Sequence, residues 1–403
     1  MKNSNRLRAL LCACSLGLTG HAAETVKFSD AFTQGKVSIN ARARFESVEQ
    51  TGLLDAEALT LRTRLGFTTA PFNGFKAMAE LENIVSPDGD RYSQAGINSG
   101  GAGRAVVADP EGTELNQAFL AYASKTTTVT LGRQRLVLDN ARFVGDVGWR
   151  QNMQTFDAVT LVNKSVEKLT LTYGYLERIN RIFGNKHPQG NWESDSHLFN
   201  ASYSALKAGT ITGYAYLLDF DNAAAQSTAT YGASFAGATP VSDAVKLTYR
   251  AEFATQSDYG SSALNYTAEF LNLEIGAAAK AIGLALGYEE LSSDNGVSFR
   301  TPLATLHAFN GWADMFLATP ANGLRDVYLK GSATLPHGFN FLGFYHEFKA
   351  DRLGADFGSE VDLQLTRKFG KHFTALVKYA KFESDSASFA DVTKFWAQVE
   401  FVY

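Results

Sequence analysis

Residues 36–46 read KVSINARARFE. Val37, Ile39, Ala41, Ala43 and Phe45 share one parity, and Ser38, Asn40, Arg42, Arg44 and Glu46 share the other. A period of two marks a β-strand with one apolar and one polar face. The pattern returns along the chain. Leu59, Leu61, Leu65 and Phe67 oppose Thr60, Arg62 and Arg64. Val245, Leu247, Tyr249, Ala251 and Phe253 oppose Lys246, Thr248, Arg250 and Glu252, and Val361, Leu363 and Leu365 oppose Glu360, Asp362 and Gln364. A soluble sandwich would bury the apolar face. A transmembrane barrel exchanges the faces, apolar to lipid and polar to the lumen. Alternation alone does not separate the two.

The connections do. About eighteen strands can be counted, and their joints alternate in length. Short joints fall at 70–74, 124–126, 164–167, 205–209, 236–243, 278–281, 336–338 and 369–372. Longer or more polar ones fall at 48–55, 86–113, 140–154, 180–193, 221–225, 257–263, 292–323, 350–357 and 384–391. Short turns on one side and longer loops on the other are how outer-membrane barrels are built, with both termini on the periplasmic side. The final stretch, FWAQVEFVY at 395–403, alternates Phe395, Ala397, Val399, Phe401 and Tyr403 up to the last residue. The expected fold is therefore all-β, a single transmembrane antiparallel barrel. Tyr173, Tyr175, Phe344, Phe348, Tyr379 and Tyr403 are the expected lipid-facing girdle.

The ends and the composition agree. Residues 1–22 combine Lys2, Arg6 and Arg8 with a short apolar run from 10 to 18 and small residues before a cleavage point after Ala22 or Ala23. That is the pattern of an export signal, leaving 23–403 as the barrel. Both cysteines, Cys12 and Cys14, lie in the signal, so thiol chemistry is excluded from the mature chain. Removing Lys2, Arg6 and Arg8 from 37 basic residues leaves 34 against 41 acidic ones, a net charge near −7. That balance disfavours a nucleic-acid partner. The histidines show no metal-binding spacing, and no cofactor motif is present.

If the polar face lines a lumen, its residues form a path. Arg42, Arg44, Arg62 and Arg64 lie on the first two strands, and Arg250 with Lys246 lies further on. Residues 131–157, LGRQRLVLDNARFVGDVGWRQNMQTFD, add Arg133, Arg135, Arg142 and Arg150. Arg133 shares the parity of Val129 and Leu131, so a bulge at Gly132 is expected to turn the arginines inward. Glu80, Glu82, Glu347, Glu360 and Asp362 gather elsewhere, which predicts a lumen lopsided in charge. Two readings stand: an arginine ladder that guides anions, or arginines that only neutralise the lumen acids. A second stretch, residues 299–326, breaks the alternation with two prolines and many aromatics. It should fold into the barrel mouth, with His307, Asn310, Trp312 and Asp314 placed to touch sugar rings.

In these two stretches the sequence resembles the alginate export family of outer-membrane proteins. The resemblance lies in GRQ (132–134), RFVG (142–145), WRQ (149–151) and TFD (155–157), then in TPLATLH (301–307), FNGWAD (309–314) and TPANGL (319–324). It implies a monomeric eighteen-stranded barrel whose positive lumen passes a polyuronate, an anionic saccharide. The implied partners are outer-membrane lipid, the barrel assembly machinery and periplasmic export proteins. Competing functions are a general anion-preferring porin for small-solute uptake, a barrel enzyme with His346 near the wall, and a soluble β-protein. No serine is placed beside His346 by strand spacing, so no catalytic residue is assigned.

Overall fold

The computed structural model describes residues 27–403. The expected signal segment lies outside the described residues. A short helix, α1 (Phe28–Thr33), precedes the strands. The sheet begins with β1 (Lys36–Gln50), β2 (Ala56–Thr68), β3 (Phe75–Val85), β4 (Gly112–Ala123), β5 (Thr127–Gln134) and β6 (Thr155–Asn163). It continues with β7 (Leu169–Asn180), β8 (Asn191–Leu206), β9 (Gly209–Leu218), β10 (Thr228–Pro240), β11 (Val245–Asp258), β12 (Thr267–Ala279) and β13 (Ile282–Leu291). A two-residue hairpin, β14 (Ser293–Asp294) and β15 (Val297–Ser298), sits in the loop that follows. The last five are β16 (Leu324–Leu335), β17 (Phe339–Lys349), β18 (Asp356–Phe369), β19 (Phe373–Ser384) and β20 (Val392–Val402).

Apart from the small hairpin, the strands form one 18-stranded antiparallel sheet in which each pairs with its neighbours in the chain. β20 pairs with β1, from Asn40↔Val402 to Gln50↔Val392, and closes the barrel. Closure satisfies every strand edge, the condition for a sheet to cross lipid. Among the described residues no helix is long and apolar enough to span a membrane. From β2 onward the joints alternate short and long as expected, the first joint, 51–55, being no longer than the 69–74 joint that follows it, and both described ends lie on the short side.

The faces are exchanged relative to a soluble protein. Leu59, Leu61 and Leu65 are exposed on β2, while Thr60, Arg62 and Arg64 between them are buried. On β18, Val361 and Leu363 point out and Glu360 and Asp362 are fully enclosed. Outward charges sit at the loop end of the strands, mostly in pairs: Arg178–Glu193, Arg325–Glu290, Lys349–Asp356 and Lys381–Glu383. They mark the upper limit of the apolar band, where water and headgroups replace hydrocarbon.

Three expectations are corrected here. Arg133 points outward beside Leu131, bound two-pronged to Asp157 at 2.7 and 3.0 Å. Gly132 has a left-handed φ of 120°, but the registers of β5 with both neighbours run through it unbroken. The shifts fall beside it, at Glu80/Leu81 and Asp157/Ala158. Phe348 is buried in the lumen and Phe344 packs on Trp312 there; Tyr345, between them, takes the lipid side. Glu347 shares Tyr345's outward parity and is not a lumen carboxylate.

Candidate functional site

Two long loops, residues 135–154 and 292–323, fold into the lumen and meet where Val144 bridges to Leu303, and Asp109 of a third, residues 86–111, reaches Arg44 and the N–H of Gln151. Each of the first two carries an aromatic anchor. Phe143 packs among Tyr214, Tyr216, Phe270 and Phe299, with ring centroids 5.2–6.1 Å apart. Phe316 sits among Phe348, Phe357, Phe382 and Phe389 at 4.5–6.0 Å. Burying one such ring contributes roughly 1.5–3 kcal/mol.

Where the loops reach β18, β19, β20, β1 and β2, charged groups hold them. The barrel register sets the columns: Arg42 lies opposite Glu400 on β20 and Arg62 on β2, and Arg64 lies opposite Glu82 on β3. Like charges face each other at Arg42 and Arg62, and Glu400 binds both, at 3.1 and 3.0 Å. Arg64 is paired with Glu82. The remaining donors turn to the loop backbone. Arg42 Nη1 donates to the carbonyls of Gly148, Trp149 and Arg150 at 3.1–3.3 Å. Arg44 donates to the Trp149 carbonyl at 2.6 Å and to Gln398 Oε1, with its guanidinium 4.1 Å from the centre of the Trp149 ring. Arg64 donates to the Gln151 carbonyl at 3.1 Å.

On β18 the polarity is reversed. The N–H of Trp312 donates to Asp362 at 3.1 Å, and the N–H of Ala313 donates to Glu360 at 2.6 Å. Gly311, with φ 85°, makes the approach possible, because a Cβ there would lie 2.3 Å from the Glu360 carboxylate. Asn310 donates to Glu289 and Asp326 at 2.9 and 3.2 Å.

Loop residues tie the two loops together. Arg150 binds Glu46 at 3.0 Å and Asp314 at 3.0 Å, with Asp109 3.8 Å away. Burial acts against its charge, but these three carboxylates keep it protonated and raise its pKa above the usual arginine range. Arg142 donates to Glu289 at 2.7 Å and to Asn310 and Thr301 at 3.1 and 3.2 Å, joining both loops to β13. The His307 ring stacks on Trp149, 4.5 Å between centroids and 5° between planes. It lies between Asp314, 2.7 Å from Nδ1, and Lys378 of β19, 2.6 Å from Nε2. Burial first, then the Lys378 ammonium, hold the His307 pKa well below its ordinary 6.5. The ring is therefore neutral, with Nδ1–H donating to Asp314 and Nε2 accepting from Lys378. Asp314 is also bound by Lys394 at 2.8 Å. Burial alone would raise its pKa, but these partners and Arg150 hold the carboxyl well below the carboxylate range.

Of the residues that sequence reading missed, which include Asp109, Glu289, Lys394 and Glu400, Lys378 is the most central. Its ammonium lies 3.5, 4.2 and 5.6 Å from the ring centres of Trp312, Trp149 and Trp396. Three of the chain's four tryptophans thus surround one buried cation. The available signal was parity: Lys378 and Trp396 occupy inward positions on strands whose alternate residues are apolar.

The arrangement brings together Arg42, Arg44, Arg62, Arg64, Arg150, His307, Trp312 and Asp314. Arg142 and Asn310 lie beside them. Arg250 is inward but apart, paired with Glu252 at 2.5 Å. Arg135 binds Asp146 at 2.5 Å and stays half-exposed. Only Arg133 leaves the lumen.

A family model for alginate export matches residues 34–288. No curated protein matches the chain. Among solved structures it is similar to Pseudomonas aeruginosa OccK3 (OpdO), at 14% identity and TM-score 0.72 over 93% of this chain and 97% of that one. Acinetobacter baumannii OccAB4 gives 14% identity and TM-score 0.70 over 92% and 98%. At such identities the likeness shows the fold alone.

Proposed function

The chain belongs to the alginate export family of outer-membrane proteins, and from that premise we propose that its channel passes an anionic polysaccharide or oligosaccharide, a polyuronate of alginate type, along its arginine-lined wall. The protein is a channel and not an enzyme. His346, the one residue weighed for catalysis, points inward to Asp326 at 2.9 Å.

One observation carries the reading. Arg42, Arg44 and Arg64 stand in neighbouring columns and hold the carbonyl oxygens of residues 148–151. A carboxylate is a stronger acceptor for a guanidinium than a carbonyl and fits its fork two-pronged. A uronate chain can therefore take over these donors as residues 148–151 withdraw. The loop closes the empty channel, and the substrate replaces the contacts that hold it. A general anion-preferring porin is the second reading. It is favoured by the loops that fold into the lumen and leave cavities beside them of no more than a small solute's size, one of about 190 Å³ and another of about 290 Å³.

Planar bilayers test the proposal. The expected result is an anion-selective current blocked by a uronate hexasaccharide and not by a neutral one of equal length. Cation selectivity without uronate block would reject it. Equal passage of small anions with no uronate block would favour the general porin.

A further inference from the structure

We propose that the cavity between the 292–323 loop and strands β11, β12, β13, β16 and β17 is a subsite for one hexuronate ring. The proposal rests on the polyuronate reading and adds a site away from the arginine columns. The cavity measures about 290 Å³, near the lower bound of roughly 300 Å³ for small-molecule sites.

Its walls have two kinds of surface. Trp312 and Phe344 meet edge to face at 5.5 Å, and Tyr328 lies 6.0 Å from Phe344. The Tyr328 ring lies across Gly287, where a Cβ would come within 2.0 Å of it. A side chain at 287 would push the ring away, so glycine there shapes the wall. Aromatic faces of this kind receive the C–H faces of a pyranose. The second surface is polar. Arg250 lies opposite Glu274 in the register, and Lys330 reaches the same carboxylate at 3.6 Å. Tyr328 donates to Glu274 at 2.9 Å, and Asn272 and Asn140 complete the lining.

The acids facing the cavity are already engaged. Glu289 is bound by Arg142 at 2.7 Å, and Asp326 by His346 at 2.9 Å. Both are almost fully buried. Arg250 and Lys330 keep open surface, with side chains 19% and 37% exposed. Arg250 is backed by the enclosed Glu252 at 2.5 Å, so the groups left accessible at this edge are Arg250, Lys330 and Glu274, the last as an acceptor for sugar hydroxyls. An aromatic wall, hydroxyl partners and two cations at one edge match a ring that carries a carboxylate. They do not match a small inorganic anion, which has no use for the aromatic wall.

The test is calorimetric titration of the detergent-solubilised barrel with a mannuronate trisaccharide, with maltotriose as the neutral probe. The proposal expects the uronate to bind and maltotriose to bind at least about tenfold more weakly, a difference of about 1.4 kcal/mol. R250Q and K330Q should each weaken uronate binding, and together by at least about tenfold. K368Q removes a like charge at the short-turn end of β18 and should leave binding unchanged. Heat-modifiable gel mobility verifies that each variant is folded. Unchanged affinity in folded R250Q–K330Q would overturn the subsite, as would equal binding of maltotriose, equal loss in K368Q, or no binding to the unaltered protein. Bilayer block by the longer uronate, read separately, would still support or refute the channel's substrate. The two failures are therefore distinguishable.

Discussion

Two neighbouring stretches of lumen wall hold two loops with opposite chemistry. On β1 and β2, guanidinium groups hold the carbonyl oxygens of residues 148–151. On β18, carboxylates hold the N–H groups of Trp312 and Ala313. Both satisfy buried backbone groups that would otherwise be left without partners. The difference lies in what can replace the loop. An arginine fork released from a carbonyl can take a ligand carboxylate. A wall carboxylate released from an N–H repels one. The arginine stretch is the side on which an anionic chain can travel, and the acid stretch is the fixed anchor.

The largest expected effect comes from Arg150, which serves both sides. Arg150→Ala leaves Glu46, Asp109 and Asp314 buried around an empty position, and breaking a buried pair of this kind costs about 3–5 kcal/mol. Thermal unfolding in detergent should show a lowered Tm, and amide exchange should be faster in both inward loops. An unchanged Tm would mean that the loops are held without it.

The acid anchor should tolerate more than the arginine stretch. Glu360→Gln with Asp362→Asn keeps an oxygen to accept each N–H, so loop exchange should stay slow. Glu360→Ala with Asp362→Ala removes the acceptors, leaves two orphaned N–H groups at about 1–3 kcal/mol each, and should loosen residues 310–314. Equal behaviour of the two pairs would show that charge and not acceptance matters at β18.

Acid sharpens the comparison at the seam between the loops. The folded-state pKa of His307 is depressed by burial and by Lys378. The folded form thus binds fewer protons than the unfolded one. Its contribution to stability is complete above the unfolded pKa of about 6.5 and is lost as pH falls below that value. A proton on Nε2 would also displace the Lys378 ammonium. Conductance should therefore rise as pH drops from 7 to 5, and His307→Gln should flatten that rise. A rise of the same size in the variant would place the titration elsewhere.

The smallest effect belongs to Arg133, outside the lumen. Arg133→Ala should change stability by less than Arg150→Ala, because the Arg133–Asp157 pair is only partly buried, with side chains 19% and 26% exposed. It should leave the reversal potential unmoved. A shifted reversal potential would return Arg133 to the conduction path.

Much of this was legible in the sequence. Loop parity located the strands and the membrane sides because outer-membrane barrels are asymmetric. The alternation around Arg42, Arg62 and Glu360 placed those residues inward because a one-residue slip would expose charge to lipid. Arg133 misled because an unpaired charge facing lipid argues for a bulge at Gly132, whereas β5 runs regularly through that residue and Asp157 pairs the outward guanidinium. Phe344 and Phe348 misled because β17 carries aromatics on both parities. The use made of the arginines was hidden for another reason. Their partners are backbone atoms more than 80 residues away, and side-chain types carry no record of which carbonyl a guanidinium will meet. The tryptophans around Lys378 come from three separate stretches and assemble only when the barrel closes.

The most direct test is single-channel recording of the unaltered protein beside Arg42→Ala/Arg44→Ala under a salt gradient. With the arginine hold on residues 148–151 weakened, conductance should rise severalfold while anion selectivity falls, because the same groups close the pore and favour anions. Unchanged conductance together with an unchanged reversal potential would contradict the account.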